Sequence, residues 1–323
     1  HSPRWEFRYL RNLFFGRDKS VHLQSWLVQP DQVSGGATVE LPPASAGRKF
    51  GDAESGGWPK GREEWRAFDV IILGDLNPQT LTPQVQEEIR ACVADRGALL
   101  VLIGGPRAMP HAFAPDSPLA ALAPFTVRER ADYWQGPEAT FRLQLTPTGQ
   151  RHPVMVQSGS LSENEEVWAA LPPFDWRLPV TAKQGAEVLA VALPEDGERE
   201  QVLTDVRQAA EHLEAVMQHR ARHAVIVSQR VGRGKVLGLA FDRTWRLRYR
   251  TGDTRHHRFW GQVMRWGLGE RLRAGSERFR AGTDRLVYGP DDPVIVMARV
   301  LNEDFSGVAD ARLEAVLRNA DGN

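Results

Sequence analysis

The sequence predicts an α/β protein: a parallel sheet covered by helices on both faces, followed by the opening strands of a β-sandwich. Three observations predict it. Two continuous apolar runs, DVIIL at 69–73 and LLVLI at 99–103, each lead into glycine and read as strands buried on both faces. Between them, residues 83–93 carry apolar side chains at helical spacing, so strand, helix and strand follow one another as in a right-handed crossover unit. After Gly275 the texture changes to short alternating runs separated by turn residues, the pattern of a sandwich.

A chain of 323 residues has room for one large domain or two ordinary ones. Its 41 Lys and Arg balance 41 Asp and Glu, which sets aside a protein that is basic overall and wraps nucleic acid; nucleic acid is not an expected partner. Cys92 is the only cysteine, so there is no intrachain disulfide and no CxxC site. No run approaches the ~20 apolar residues that span a bilayer, and no signal peptide is recognisable. The opening His1-Ser2-Pro3 and the closing turn residues at 319–323 read as the cut ends of a fragment of a longer protein.

Taken in order, residues 3–15 (PRWEFRYLRNLFF) predict a helix. Pro3 suits a first helical position, and Trp5, Tyr9 and Leu13, with Leu10 and Phe14, recur at core spacing; Trp5 is expected to pack on the sheet. Residues 21–28 alternate as a strand, and residues 29–62, rich in Gly, Pro and Ser, read as a long surface loop. Thr82-Pro83 opens the crossover helix, whose apolar face is Val85, Ile89, Cys92 and Val93 and which Gly97 closes. Short strands are predicted at 126–130, 140–145 and 188–192. Residues 200–220 form the clearest helix, with Val202, Val206, Ala209, Leu213 and Val216 in one stripe. Residues 225–229 and 235–241 make a hairpin around Val231-Gly232-Arg233-Gly234. Residues 257–272 predict a helix with Trp260, Val263, Met264 and Gly267 facing inward, and 285–288, 294–301 and 311–318 are the strands of the sandwich.

The chemistry-bearing motifs are few. Cys92 lies among Ile89 and Val93 and reads as a structural thiol, because a reactive one needs an accessible, electropositive setting. There is no G-x-S-x-G elbow. His256 and His257 are adjacent, so on a helix their side chains diverge by about 100° and cannot chelate as an i,i+4 pair does. Asp291-Asp292, in a Pro-flanked turn, reads as solvated rather than calcium-binding. Gly232-Arg233-Gly234-Lys235 lacks the P-loop spacing, and Gly104-Gly105-Pro106 lacks the later glycine of a dinucleotide fingerprint. No metal and no cofactor are expected. The densest segment runs from Phe241 through Arg250 and on to Trp260. Between 230 and 280 there are 14 Lys and Arg against 4 Asp and Glu. Arginines interleaved with tryptophans can bind anions or polysaccharide, or stack into an internal network with Asp242 as counter-charge; the network is the favoured reading.

PRWEFRYLRNLF at 3–14, DVIILGDLNP at 69–78, GALLVLIGG at 97–105, TPTGQRHPV at 146–154, VGRGKVLGLAFDRTWRLR at 231–248 and HHRFWGQVMRW at 256–266 follow in order over most of residues 3–274. Together they resemble the glutamine amidotransferase-like domain of large bacterial, often membrane-anchored proteins. The resemblance implies a flavodoxin-like three-layer parallel-sheet domain, of the class I glutamine amidotransferase-like fold, over residues 1–274, with a helical insertion at about 197–222. It implies the start of an Ig-like sandwich over 275–323. It also implies a periplasmic setting in an envelope protein, with other domains of the same chain or other envelope proteins as partners and membrane attachment only through segments outside residues 1–323.

True amidotransferases carry a Cys-His-Glu triad. Their nucleophile sits in a G-x-C-x-G corner; the similar corner here, Gly104-Gly105-Pro106, has no Cys, Ser or Thr. Their His and Glu sit in a G-x-Q-F-H-P-E segment; in the similar stretch here, residues 238–244, Asp242 stands for His and Thr244 for Glu. The triad positions Gly104, Asp242 and Thr244 are thus degenerate, and without a thiolate and its base glutamine hydrolysis is not expected. The expected ligand site is the crevice at the carboxyl ends of the strands, lined by Gly74, Asp75, Gly104, Gly105, Asp242 and Arg243, with Arg246 and Arg248 beside it. Asp242 needs a counter-charge there, and Arg243, Arg246 and Arg248 are the expected partners. The alternative is a hydrolase of amides or sugars using Asp75 and Asp242 as acid and base, which requires both carboxylates to flank one cleft.

Overall fold

The computed structural model describes residues 1–18, 21–28, 40–49, 51–128, 140–194, 206–249, 252–269, 274–275, 279–283 and 296–300, with single positions 308, 311, 312, 314 and 316. Two compact units divide the chain, His1–Gln262 and Val263–Asn323.

The first unit opens with α1 (Trp5–Arg11), which continues as a π-helical segment over Asn12–Arg17. Two short strands, β1 (Ser25–Trp26) and β2 (Glu54–Ser55), pair in parallel, and α2 (Gly61–Arg66) follows. Then come β3 (Val70–Gly74), α3 (Pro83–Ala94), β4 (Leu99–Ile103), α4 (Pro118–Leu122), β5 (Phe125–Val127), β6 (Phe141–Leu145), α5 (Pro147–Arg151), α6 (Leu161–Ala169), β7 (Val180–Ala182), β8 (Glu187–Pro194), α7 (Val206–Arg222), β9 (Ala224–Val231), β10 (Gly234–Leu239) and the first part of α8 (Thr254–Gly269), whose residues from Val263 on belong to the second unit. The central sheet has the order β3-β4-β10-β9-β8-β6.

The expected crossover is present: β3, α3 and β4 follow in sequence, and β3, β4 and β10 are parallel neighbours. The other half of the sheet is antiparallel. That change of direction is forced at the β9–β10 hairpin, since the two-residue link Gly232-Arg233 can join only antiparallel strands. Gly232 takes a left-handed φ of 57° and lies so close to the carbonyl of Ala94 that a Cβ would overlap it, so the motif that resembles part of a phosphate loop is a hairpin turn packed on the end of α3.

Every residue of β4 is buried, as its unbroken apolar run requires. On one side Ile71, Leu73, Leu100, Leu102 and Val236 form one core with Ile89, Cys92, Val93, Leu119 and Leu122. Each such side chain contributes roughly 1.5–3 kcal/mol by leaving water. Gln86 stitches this layer together: its Nε2 donates to the Leu81 carbonyl at 2.8 Å and its Oε1 accepts from Leu119 N at 3.1 Å. A separate aromatic group runs edge to face from Phe14 to Trp260 to Phe259 to Trp168.

Several local expectations change. The strand expected at 21–28 is reduced to Ser25–Trp26, and the expected loop supplies its partner β2 and the first two residues of α2. Trp5 is 55% exposed; the buried face of the N-terminal helix is Glu6, Leu10, Leu13 and Phe14. On α7, Leu213 and Met217 face solvent. The second unit contains a three-stranded antiparallel sheet of β11 (Ala274–Gly275), β12 (Phe279–Thr283) and β13 (Val296–Val300). The strand expected at 285–288, half of the one expected at 311–318, Asp291-Asp292 and residues 200–205 of the long helix lie outside the described residues. Among the described residues, no helix is long and apolar enough to cross a membrane.

Candidate functional site at the strand ends

Pairing of Gly74 and of Leu239 with Ile103 brings the carboxyl ends of β3, β4 and β10 side by side. Gly104 N donates to the Leu239 carbonyl at 2.8 Å, and the chain leaving β10 reaches Asp242 two residues beyond Ala240. The candidate residues Gly74, Asp75, Gly104, Gly105, Asp242 and Arg243 therefore emerge at one edge of the sheet.

Asp75 is the one described non-glycine residue with a positive φ, 50°. Aspartate tolerates that conformation because its short polar side chain bonds locally. Its buried carboxylate accepts from the backbone N–H groups of Arg107 (3.3 Å), Ala108 (2.8 Å) and Met109 (3.1 Å). A Cβ on Gly105 would overlap this carboxyl group, so glycine is needed there for close approach. Asp75 thus holds the loop after β4 in place.

Asp242 has a side chain only 15% exposed, and its Oδ2 meets Arg4 Nη1 at 3.4 Å. Arg243 Nε lies 3.5 Å from Oδ1. The Arg4 guanidinium also reaches the carbonyls of Gly104 (3.4 Å) and Ile103 (3.5 Å), so it lies across the end of β4. A Cβ on Gly74 would overlap that guanidinium and the His1 ring, and Ser2 N donates to the Gly74 carbonyl at 3.2 Å. Burial raises the Asp242 pKa above the ordinary carboxylate value; Arg4 and Arg243 pull it down, and the nearby Asp75 pushes it up.

Beside this pair lies a second buried carboxylate. Glu6 accepts from Thr244 N at 3.1 Å and from the Thr244 hydroxyl, whose oxygen in turn accepts from Trp260 Nε1 at 3.0 Å. Burial raises the Glu6 pKa to about 7, opposed by the Thr244 hydrogen bond and by Arg4. His256 is wholly buried with its edge on Tyr9, neither ring nitrogen hydrogen-bonded among the described residues, and desolvation lowers its pKa to about 3.

Arg246 and Arg248 face other carboxylates. Arg243 Nε and Arg246 Nη1 approach Asp175 Oδ1 at 3.4 and 3.5 Å, and Arg248 pairs with Asp253. Arg248 also lies 4.3 Å over the Tyr9 ring, which is stacked between Trp5 (6.0 Å) and Trp245 (6.4 Å). The arginine–tryptophan network is therefore largely internal. The expected partners of Asp242 are corrected: Arg243 is one, Arg246 and Arg248 pair elsewhere, and Arg4 takes their place. Cys92 lies on α3, buried, with Sγ donating to the Trp65 carbonyl at 3.1 Å. Among the described residues, no group of three or more His, Cys, Asp or Glu could hold a metal ion.

Arg4, Glu6 and Asp175 are the residues that sequence reasoning missed. The available signal was Glu6, one acid set within an apolar helical face; nothing local marked Arg4 or Asp175.

No family model matches the chain, and no curated protein matches it. Among solved structures it is similar to the cytoplasmic protein STM3548 of Salmonella typhimurium, at 16% identity over 65% of this chain and 76% of that one, with a TM-score of 0.44. It is also similar to the cytoplasmic protein STM1381 of Salmonella typhimurium LT2, at 17% identity over 64% of this chain and 75% of that one, with a TM-score of 0.41.

Proposed function

We propose that this chain is a ligand-binding or interaction module on a flavodoxin-like, class I glutamine amidotransferase-like scaffold, without amidotransferase catalysis. The observation that carries this reading is the occupancy of the strand-end edge. Where a nucleophile and its base would be needed, the corner Gly104-Gly105-Pro106 offers no nucleophilic side chain, and Asp242 is engaged by Arg4 and Arg243. The resemblance in sequence motifs supports the scaffold. It is also what supports a place in a larger membrane-anchored envelope protein, on the periplasmic side, with other domains or envelope proteins as partners. The test is ammonia release from glutamine by the purified protein. No release above buffer is expected; release that Cys92→Ser abolishes would overturn the reading.

A second reading, a hydrolase using Asp75 and Asp242, is favoured by one observation: Asp75 is close enough to raise the Asp242 pKa. Against it, Asp75 already accepts three backbone N–H groups and Asp242 faces two guanidinium groups. Screening amide and glycoside substrates decides between them: turnover that Asp242→Asn abolishes without lowering Tm would establish the hydrolase.

A further inference from the structure

We propose that the strand-end crevice is a receptor for a guanidinium group, filled in this chain by its own Arg4 and open to an arginyl or other guanidino ligand when Arg4 withdraws. The inference rests on the reading of the chain as a ligand-binding module and names the ligand class of that same site.

Three acceptors converge on the Arg4 fork: the carbonyls of Ile103 and Gly104 and the Asp242 carboxylate, at 3.4 to 3.5 Å. All three are hydrogen-bond acceptors, and one carries negative charge. That polarity disfavours a carboxylate or phosphate at these three acceptors. It suits a planar cation with several N–H groups in one plane, which can bond two carbonyls and a carboxylate together. A compact ammonium group lacks that fixed fork. The space is shaped for the group as well, because a Cβ at Gly74 would overlap the guanidinium.

Arg4 fills the receptor imperfectly. Its contacts are at the long end of hydrogen-bond range, and its Nε is buried without a hydrogen bond among the described residues. Among the described residues Asp242 Oδ1 has no side-chain hydrogen-bond donor in range, and its ion pair with Arg243 is long, at 3.5 Å. Both vacancies leave capacity for a better-placed guanidinium.

The experiment compares the 323-residue protein, Arg4→Ala and Arg4→Ala/Asp242→Asn by thermal melting with methylguanidinium, methylammonium, acetate or inorganic phosphate, each at about 10 mM, a concentration that saturates a millimolar site. Methylguanidinium should raise the Tm of Arg4→Ala by about 3 °C. It should leave the parent and the double variant unmoved, and methylammonium should do less. Free L-arginine and N-acetyl-arginine-methylamide, run alongside, separate a small-molecule ligand from an arginyl peptide. If acetate or phosphate stabilises Arg4→Ala and methylguanidinium does not, the guanidinium assignment fails while the module reading stands. If no probe shifts it, the guanidinium assignment fails. Should Arg4→Ala not fold, nitrogen NMR of the parent gives the answer: a held Arg4 guanidinium shows slowed rotation and separate Nη–H signals, and a freely averaging one overturns the proposal.

Discussion

Glu6 and Thr244 stand 238 residues apart and are joined in the interior, the Glu6 carboxylate taking both the backbone N–H and the hydroxyl proton of Thr244. This contact ties α1 to the turn that follows β10, and it fixes the Arg4 side chain and Asp242 on the same side of the sheet end. The carboxylate beside Thr244 comes from the N-terminal helix.

The pairing has a pH signature. Burial raises the Glu6 pKa from 4.5 to about 7, with Arg4 lowering it and Asp242 raising it. The folded state therefore holds the proton more tightly than the unfolded chain. Stability should fall as pH rises from about 4.5 to about 7 and level off above, by about 3 kcal/mol at most. Glu6→Gln should remove this slope, as urea unfolding at pH 5 and pH 8 would reveal; an unchanged slope would count against a buried ionising Glu6.

His256 acts with the opposite sign. Its pKa is lowered from 6.5 to about 3 by desolvation and by His257 and Arg248, against the opposing effect of Asp253. The folded state prefers the neutral ring, so stability should decline as pH falls below about 6.5. Because neither ring nitrogen is hydrogen-bonded among the described residues, His256→Phe should cost little at pH 8 and should blunt the acid-side loss. A variant that melts far below the parent at pH 8 would show that the ring has a polar role.

Asp75 is predicted to be structural. Removing an acceptor that serves Arg107, Ala108 and Met109, and placing alanine at a φ of 50°, should make Asp75→Ala lose about 2–4 kcal/mol. Asp75→Asn keeps one carbonyl acceptor and tolerates the left-handed backbone, so it should lose less. Equal losses in the two variants, measured by denaturant unfolding, would contradict the capping role.

Trp5 is predicted to matter little for stability. It is 55% exposed and touches Tyr9 and Arg8 at the surface, so Trp5→Ala should cost about 1 kcal/mol or less, not the roughly 3–5 kcal/mol of a buried tryptophan. A larger loss would restore the core position that its spacing implies.

The crossover unit and the N-terminal helix differ in how openly the sequence declares them. The crossover of β3, α3 and β4 could be read because an unbroken apolar strand and an amphipathic helix each declare their burial locally. The hairpin of β9 and β10 could be read from its glycines. The antiparallel half of the sheet could not, because strand direction depends on which partners meet, and the neighbours β6, β8 and β9 are separated by long stretches of chain. The buried face of the N-terminal helix is legible in part. Apolar spacing selects Leu10, Leu13 and Phe14, which are buried, together with Trp5, which is exposed, and it passes over Glu6, because a glutamate does not declare its burial. At the candidate site, the backbone ends of β3, β4 and β10 and the carboxylates Asp75 and Asp242 could be placed from the strand pattern. The cation over them could not, because Arg4 and Asp242 meet only through the tertiary fold.

That meeting is the centre of the account, and a double-mutant cycle on Arg4 and Asp242 measures it most directly. The cycle uses Arg4→Met, which keeps most of the side-chain stem, Asp242→Asn, and the double variant, each unfolded in urea. Each single change takes one charged partner from a partly buried charged group, so each should destabilise on its own, and the double variant should lose less than their sum. A coupling energy of about 1–3 kcal/mol is the predicted result. Strictly additive losses would contradict it, and would mean that Arg4 lies over the strand ends without holding Asp242.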